Sequence, residues 1–476
     1  MVGDWTTYQL QDLCEFINGF AFKSSDYVAP DDSTIEVFRM GYIERGGGFK
    51  EDSTPVFVPK DYGRDLSKFY LQPSDITIAM TDMKDRVAIL SNTAWVRDAG
   101  RFVLNQRVGC IRVKRHDLTD ARFLYFYTNW QPHVDYLRSR ANRGVQVNLS
   151  TASIKEADIT LPSLDEQKSI AHILGTLDDK IELNRQMNAT LEAMAQALFK
   201  SWFVDFDPVI DNALAAGHPI PEPLLARAEA RAALGDKRKP LPTHRDVLVS
   251  REAGCRERPE AIQKQFPSRF VFNEEMGWMP EGWDVGPFEQ VAEVIMGQSP
   301  KGDTYNSDGK GTPLVNGPVE FGEYFAEKTK WTTAPSNLTK FGDLIVCVRG
   351  STTGRHVKSD GTYCLGRGVC AVRGKDSQSF VEQTYKRNID LLLQMTTGST
   401  FPNWSSPTLK SFSVILPTSD VLELFDHQAN SLTEKVGANC IQIEVLSRIR
   451  NTLLPKLLSG QLRIPDAGKL IEEASA

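Results

Sequence analysis

A 4-3 spacing of apolar residues runs from Ile170 to Trp202. This spacing keeps one apolar seam turned toward a partner helix, which is typical of a coiled coil. Asn184 and Asn188 interrupt the seam, and polar seam residues fix the register of helix pairing at some cost in stability. The spacing predicts a helix of about 33 residues and about 50 Å. Its expected pairing positions are Leu174, Leu177, Ile181, Asn184 and Leu191.

The same pattern occurs a second time, later in the chain. When the second copy is aligned with the first without gaps, His172 falls on His427, Lys180 on Lys435 and Asn184 on Asn439. Matching polar residues is harder to obtain by chance than matching apolar ones. The chain is therefore predicted to hold two copies of one plan, each a globular part followed by a long helix. The expected pairing positions of the second helix are Leu432, Val436, Asn439 and Leu446.

The globular part of each copy is predicted to be a mixed α/β domain. Short β-rich runs separated by turn residues alternate with helical segments. Strands are predicted at 35–40, 76–80, 87–90, 108–113, 344–348 and 369–372, and helices at 121–139 and 380–395. The expected order is a first domain (1–160), its long helix (161–205), a Pro-rich linker or insertion (206–275), a second domain (276–416), its long helix (417–464) and a tail (465–476).

The composition is that of an ordinary soluble protein, with 41% hydrophobic and 24% charged residues. No run approaches the roughly 18 apolar residues of a membrane span, and the first residues do not resemble a signal peptide. The seven cysteines contain no C-x-x-C pair, which argues against a disulfide scaffold and a structural zinc site. A cytoplasmic protein is expected.

The net charge of −6 is unevenly distributed. Residues 84–143 hold twelve Lys and Arg against five Asp, and residues 340–375 hold seven basic against two acidic residues. A basic patch in a mildly acidic chain is the electrostatic footprint of phosphate binding. A solvated charged face would explain either patch alone. Its recurrence at the corresponding place in both copies favours a nucleic-acid partner.

Asp75, Asp82 and Lys84 have the D-x6-D-x-K spacing of a metal-dependent nuclease, in which carboxylates hold Mg²⁺. In the frame of the repeat, Asp75 falls on Asp343 but Asp82 falls on Gly350. A carboxylate kept without its partner is typical of a turn or cap residue. The structural interpretation is favoured, and the nuclease remains an alternative.

Motifs for other enzyme chemistry are missing. The sequence has no G-x-x-x-x-G-K-[ST] phosphate loop, no strand–G-x-G-x-x-G–helix unit and no HExxH spacing. We therefore expect a non-catalytic binder and scaffold that holds no cofactor or metal of its own.

Four short motifs resemble those of the specificity subunits of Type I restriction–modification systems. They are LPSLDEQ at 161–167, WFVDFDP at 202–208, GWMPEGW at 277–283 and LLPKLLSGQL at 453–462. The resemblance covers nearly the whole chain, and the long insertion between Phe206 and Phe272 departs from it.

The resemblance implies two target recognition domains, each reading one half of a bipartite, asymmetric site in double-stranded DNA. The two long helices would form an antiparallel coiled coil and give the chain pseudo-twofold symmetry. Two methyltransferase (modification) subunits and then restriction/translocase subunits would join, bringing S-adenosylmethionine, ATP and Mg²⁺. A rod of about 50 Å corresponds to about 15 base pairs.

Arginine, lysine and amide side chains are the groups that contact phosphates and base edges. Asn148 and Asn403 fit base readout and loop capping equally well. A pure assembly scaffold with protein-binding domains remains a further alternative. The expected DNA contacts are Lys84, Arg86, Gln106, Arg107, Arg140, Arg143, Gln146 and Asn148 in copy one, and Arg349, Arg355, Lys358, Arg367 and Asn403 in copy two.

Overall fold

The computed structural model describes residues 5–52, 54–83, 88–143, 146–233, 262–396 and 402–466. The chain forms two compact units: unit 1 is 1–183 with 442–476, and unit 2 is 184–441. No helix among the described residues is long and apolar enough to cross a membrane. The cysteines at described positions are free thiols.

Unit 1 is built on a four-stranded antiparallel sheet of order β2-β9-β5-β7. Smaller sheets are β4-β3-β8, β10-β11-β6 and β1-β12. The strands are β1 Thr6–Gln9, β2 Cys14–Asn18, β3 Thr34–Phe38, β4 Phe57–Pro59, β5 Ile76–Ala79, β6 Thr81–Met83, β7 Thr93–Trp95, β8 Phe102–Leu104, β9 Val108–Val113, β10 Asn142–Arg143, β11 Gln146–Asn148 and β12 Asp158–Leu161. The helices are α1 Leu10–Leu13, α2 Ala121–Asn129, α3 Gln131–Ser139, α4 Thr151–Lys155 and the first half of α5 Leu164–Phe203.

Strand β5 is buried along its whole length because the sheet of unit 1 is covered on both faces. Ile76 and Ile78 pack in a cluster with Phe123 of α2, and Ala79 packs in another cluster with Phe38. A strand covered on both faces reads as a continuous apolar run rather than an alternating one. The segment ITIA fits this position because its one polar side chain, Thr77, is fully buried and donates a hydrogen bond to Ala94 O at 3.2 Å.

Unit 2 repeats this architecture. Its main sheet has the order β16-β23-β20-β21, and parallel pairing of β18 with β22 matches that of β3 with β8. The strands are β13 Phe270–Asn273, β14 Gly277–Pro280, β15 Asp284–Pro287, β16 Ala292–Met296, β17 Tyr305–Asn306, β18 Thr312–Val315, β19 Trp331–Thr332, β20 Leu344–Cys347, β21 His356–Lys358, β22 Cys364–Leu365, β23 Val369–Gly374 and β24 Ser413–Leu416. The helices are the second half of α5, α6 Asp207–Ala216, α7 Leu225–Ala233, α8 Gln378–Arg387, α9 Ile389–Gln394, α10 Ser406–Ser411 and the first half of α11 Ser419–Leu458. The predicted duplication of a mixed α/β domain is confirmed.

The two long helices are longer than the predicted 33 residues, since α5 and α11 each span 40. They pair antiparallel. In unit 2, Asn439 Nδ2 donates to Asn188 Oδ1 at 2.8 Å, and Phe199 packs edge-on against Phe425. Residue numbers therefore rise along α5 as they fall along α11.

The pairing positions expected from the sequence are buried, except for the partly buried Leu446. In unit 1, Leu174 and Leu177 share a cluster with Leu453 of α11. In unit 2, Leu191 shares a cluster with Leu432 and Val436. Ile181, Asn184 and Asn439 are also buried.

Some local expectations were wrong. The helix predicted at 121–139 is broken into α2 and α3 at Trp130, because Pro132 has no N–H to bond to the Thr128 carbonyl and its ring would clash with that carbonyl in a continuous helix. The helix predicted at 380–395 divides at Asn388 into α8 and α9. Residues 88–90 of the predicted strand 87–90 form a bend and turn, and Val87 lies outside the described residues.

The segment predicted as a linker or insertion contains more regular structure than expected. Helices α6 and α7 are joined by ion pairs, with Arg227 2.8 Å from Asp207 and Arg231 beside Asp211. The 206–275 segment also contains β13. Residues 234–261 lie outside the described part of the chain.

Candidate nucleic-acid interface

A tight turn follows the same hydrogen-bond pattern in both units. In unit 1 it joins β8 to β9 at residues 105–107, and in unit 2 it joins β22 to β23 at residues 366–368. The Gly19 N–H donates to Val108 O at 3.2 Å, as the Gly297 N–H donates to Val369 O at 2.9 Å. This pattern matches Asn105 with 366, Gln106 with 367 and Arg107 with 368.

A glycine beside each turn allows the backbones to approach closely. A Cβ added at Gly19 would lie 1.9 Å from Asn105 O, and one added at Gly297 would lie 2.0 Å from Gly366 O. Only glycine fits such a contact. Each turn is thus packed firmly against the end of its neighbouring strand, β2 or β16.

The turn meets two other segments in each unit. In unit 1, the Met80 N–H donates to Arg107 O at 2.9 Å, and the Leu149 N–H donates to Met80 O at 2.8 Å. In unit 2 the same two bonds run from Val348 to Gly368 and from Trp404 to Val348, both at 2.9 Å. We define the unit 1 tip as residues 80–83, 105–107 and 146–148, and the unit 2 tip as residues 348–349, 366–368 and 402–403.

Most of the predicted DNA contacts lie in the two tips. Asn148 pairs with Thr81 between β11 and β6, and Asn403 pairs with Arg349 in an isolated β-bridge. Gln146 is partly exposed, and Arg143 lies in β10, which pairs with β11. The exposed tip residues are Gln106, Arg107, Asn148, Arg349, Arg367 and Asn403.

The tip arginines form no ion pair with any described residue. Within the described part of the chain, no carboxylate oxygen lies within 4.0 Å of the guanidinium nitrogens of Arg107, Arg349 or Arg367. Arg107 also has a left-handed backbone with φ of 73°. Such strain at a non-glycine residue costs about 1 kcal/mol or more and is concentrated at binding sites.

Many of the other cations in the 84–143 segment are neutralised, so its net charge overstates the positive surface. These side chains form ion pairs with carboxylates at 3.0 Å or less. They are Arg97, Arg101, Arg112, Arg115 and Arg122.

The remaining predicted contacts lie outside the residue ranges that define the tips, are buried or fall outside the described residues. Arg140 stacks over the Tyr136 ring at 4.6 Å, and Arg355 is exposed at the turn between β20 and β21. The structure contradicts the expectation for Lys358, which is only 7% exposed and holds Nζ 2.7 Å from Glu382 Oε2. Lys84 and Arg86 lie outside the described residues.

Two tip-associated residues were not predicted from the sequence. Thr81 lies opposite Asn148, and the Ser299 Oγ accepts a hydrogen bond from the Arg367 N–H at 3.2 Å. If the alignment of the two copies had been extended through the segments that contain Met80 and Gly297, Thr81 and Ser299 would have been placed beside the turn. Neither residue is charged or belongs to a motif that would indicate a DNA contact without the repeat.

The carboxylates of the nuclease alternative have structural partners. Asp75 receives two hydrogen bonds from the Arg112 guanidinium at 2.8 and 2.7 Å. Asp343 receives the same pair from Arg373 at 2.9 and 2.8 Å. Asp82 accepts the Ile89 N–H at 2.7 Å. Because the Asp75 arrangement recurs in both units, it explains why this carboxylate is repeated without its supposed catalytic partner.

These features define a class of protein with two repeated α/β domains, an antiparallel pair of long helices and a tip in each domain that carries exposed arginine and amide side chains. The family model described as "Type I restriction modification DNA specificity domain" matches residues 3–193 and 280–444. The chain therefore belongs to the Type I restriction–modification DNA specificity family.

Individual relatives agree with this assignment. The HindI specificity subunit of Haemophilus influenzae is 25% identical over 363 residues, covering 72% of this chain and 78% of the relative. The MjaIX specificity subunit of Methanocaldococcus jannaschii is 24% identical, covering 73% and 70%. The crystal structure of an S subunit of a Type I restriction–modification system from M. genitalium has the same fold, with a TM-score of 0.54 and 14% identity, covering 95% of this chain and 96% of that one.

Proposed function

We propose that this chain is the DNA-reading subunit of a Type I restriction–modification complex and binds a bipartite, asymmetric site in double-stranded DNA. Each unit reads one half of the site through its tip. The observation that carries this proposal is the recurrence of the tip in two copies with different side chains, in which the arginines form no ion pair with any described residue. A repeated framework with unlike surfaces suits two unlike half-sites.

The cations of the tips supply phosphate contacts, and their amides and arginines supply contacts to base edges. Phosphate contacts position the duplex, whereas base contacts specify the sequence. The proposed contacts are Gln106, Arg107, Arg140, Arg143, Gln146, Asn148, Arg349, Arg355, Arg367 and Asn403, together with Lys84 and Arg86.

The chemistry belongs to partner subunits in this proposal. Two methyltransferase subunits dock on this chain and use S-adenosylmethionine, and restriction/translocase subunits join with ATP and Mg²⁺. This chain is not itself an enzyme. The engagement of Asp75 by Arg112 supports that assignment, because a carboxylate held in a bidentate ion pair is a fold-stabilising group.

A DNA-binding titration at several salt concentrations tests the proposal. The chain assembled with its methyltransferase subunits is measured against duplex DNA, as wild type and as Arg107→Gly. Glycine accepts the left-handed backbone at position 107, so the variant keeps or slightly raises its melting temperature. We expect weaker binding on all sequences, and a slope of log affinity against log salt that is smaller by about 1.

The matched control is Arg115→Ala, since Arg115 is an exposed arginine of unit 1 that is already paired with Asp117. Its affinity and salt slope should stay near those of the wild type. Unchanged affinity and slope in Arg107→Gly would remove the tip of unit 1 from the interface. Wild-type affinity that does not depend on salt would count against the proposal, because phosphate contacts by cations make binding salt-dependent.

A further inference from the structure

Gln106 and Arg367 occupy the same position in the two tips. Both follow the residue whose carbonyl oxygen lies against the close-packed glycine, Asn105 in unit 1 and Gly366 in unit 2. The Phe20 N–H bonds to Leu104 O, and the Gln298 N–H bonds to Leu365 O, each at 2.9 Å. The two side chains therefore leave equivalent points of the same backbone framework.

The backbone at this position is anchored while the side chain is available. The Gln106 N–H donates to Phe20 O at 2.7 Å, and the Arg367 N–H donates to Ser299 Oγ at 3.2 Å. Both residues are exposed, and neither side chain makes a hydrogen bond with any described residue. An anchored backbone places such a side chain reproducibly against a ligand.

The two side chains have different hydrogen-bonding patterns. The glutamine amide offers one donor group and one acceptor, which match N6 and N7 of adenine in the major groove. The arginine guanidinium offers two parallel donors, which match O6 and N7 of guanine. Their neighbours also differ, because Gln106 is followed by the cation of Arg107 whereas Arg367 is followed by Gly368.

We infer that this turn position determines one base in each half-site, with Gln106 selecting adenine and Arg367 selecting guanine. The inference rests on the proposed function, since it requires that each tip enters a DNA groove. It adds the identity of two bases and assigns each to a named residue. Arg107, with its carbonyl bound to Met80, serves the phosphate backbone beside the reader of unit 1.

The test exchanges the two readers in the complete complex. Gln106→Arg and Arg367→Gln are produced separately with the methyltransferase subunits, and the methylated sites are determined by genome-wide methylation sequencing. Gln106→Arg should change one adenine to guanine in one half-site only. Arg367→Gln should change one guanine to adenine in the other half-site only. Competition binding should show a change in base preference of about 10- to 100-fold.

A nearly isosteric variant covers the case in which an exchanged protein fails to assemble. Gln106→Glu keeps the size of the side chain and replaces its donor with an acceptor, which matches N4 of cytosine. It should move the preference from adenine toward cytosine at the same position. Arg115→Gln is the matched control and should leave both half-sites unchanged.

The outcomes separate this inference from the proposed function. A wild-type complex that methylates no defined sequence contradicts the proposed function itself. A wild-type complex with a bipartite motif whose bases stay the same in all three turn variants overturns the inference alone. A change at the wrong base, or in both half-sites at once, also overturns it.

Discussion

Glu382 is buried in unit 2 between two lysines. Lys358 Nζ lies 2.7 Å from its Oε2, and Lys386 Nζ lies 2.8 Å from its Oε1. Burial alone would raise the pKa of the Glu382 carboxyl, but the two ammonium groups outweigh it and lower that pKa from 4.5 to about 2. The charged carboxylate is therefore part of the folded structure.

This arrangement predicts a specific loss of stability in acid. A carboxyl with a lowered folded-state pKa contributes stability that is fully present above its unfolded pKa and is lost as the pH falls through the folded value. The window runs from about 4.5 down to about 2. We expect Glu382→Gln to lower the free energy of unfolding near neutral pH by about 3 kcal/mol. The difference from wild type should shrink as the pH falls through this window.

Urea unfolding at a series of pH values measures this effect. The control is Glu289→Gln, which changes an exposed glutamate of the same unit and should behave as wild type. A deficit in Glu382→Gln that stays constant from neutral to acidic pH would contradict the assigned role of the carboxylate.

Single-residue roles were predictable where they depended on the repeat and not where they depended on a distant partner. Asp75 was interpreted as structural because Asp343 repeats it, and its pairing with Arg112 supplies the reason. Lys358 was misassigned because its partner Glu382 lies on a different element, α8, and nothing in the local sequence links them. Charge counted along the chain does not reveal which cations are neutralised in space.

At the scale of elements, the helix pair combines an apolar seam with partly buried polar contacts. Asn188 and Asn439 bond to each other within unit 2, and Arg450 lies 2.7 Å from Asp178 within unit 1. A partly buried polar group that is shifted away from its partner loses a hydrogen bond that water replaces only in part. These contacts therefore favour one register of α5 against α11.

Leu432→Asp should break the pairing in unit 2. Leu432 is 5% exposed and packs in one cluster with Leu191 and Val436. Burying an unpaired carboxylate there should cost about 3 kcal/mol or more. We expect a lower melting temperature and loss of copurifying methyltransferase subunits.

The control for this substitution is Ala438→Asp, which introduces the same side chain at an exposed position of the same helix. It should retain both the melting temperature and the partner subunits. A Leu432→Asp protein that is as stable as this control and keeps its partners would show that the seam does not hold the helices together.

Elements with a long internal pattern were predictable, and short ones were not. The heptad spacing located both long helices because it depends only on residue order. Strands of two residues, such as β17, β19 and β22, are too short to show alternation, and they form through pairing with distant segments. The tips escaped prediction as units for the same reason, since each is assembled from three segments far apart in sequence.

At the scale of the molecule, both long helices contribute residues to both units. We expect them to determine how many unread base pairs separate the two half-sites. Inserting seven residues after Leu183 and seven after Ile441 preserves the heptad register. Each insertion adds about 10 Å of helix, which corresponds to about three base pairs.

Methylation sequencing of this double insertion should find the same two half-sites with about three more base pairs between them. Seven residues inserted at the exposed Gly63 of unit 1 serve as the control, and they should leave the spacing unchanged. An unaltered spacing in the helix insertion, or altered half-site bases, would contradict the expected role of the helices.

Unit 1 is assembled from two stretches that lie far apart in the chain, since residues 442–476 complete a body begun by residues 1–183. Leu453 and Leu457 of the later stretch lie in the same cluster as Ile170 and Leu174 of the earlier one. During translation, residues 1–183 emerge from the ribosome long before the last helix. Until that helix is made, the apolar surface that it covers in unit 1 stays exposed to water. A fragment whose translation stops before codon 442 therefore keeps this apolar surface exposed. We expect such a fragment to aggregate readily and to be bound by chaperones or degraded by proteases.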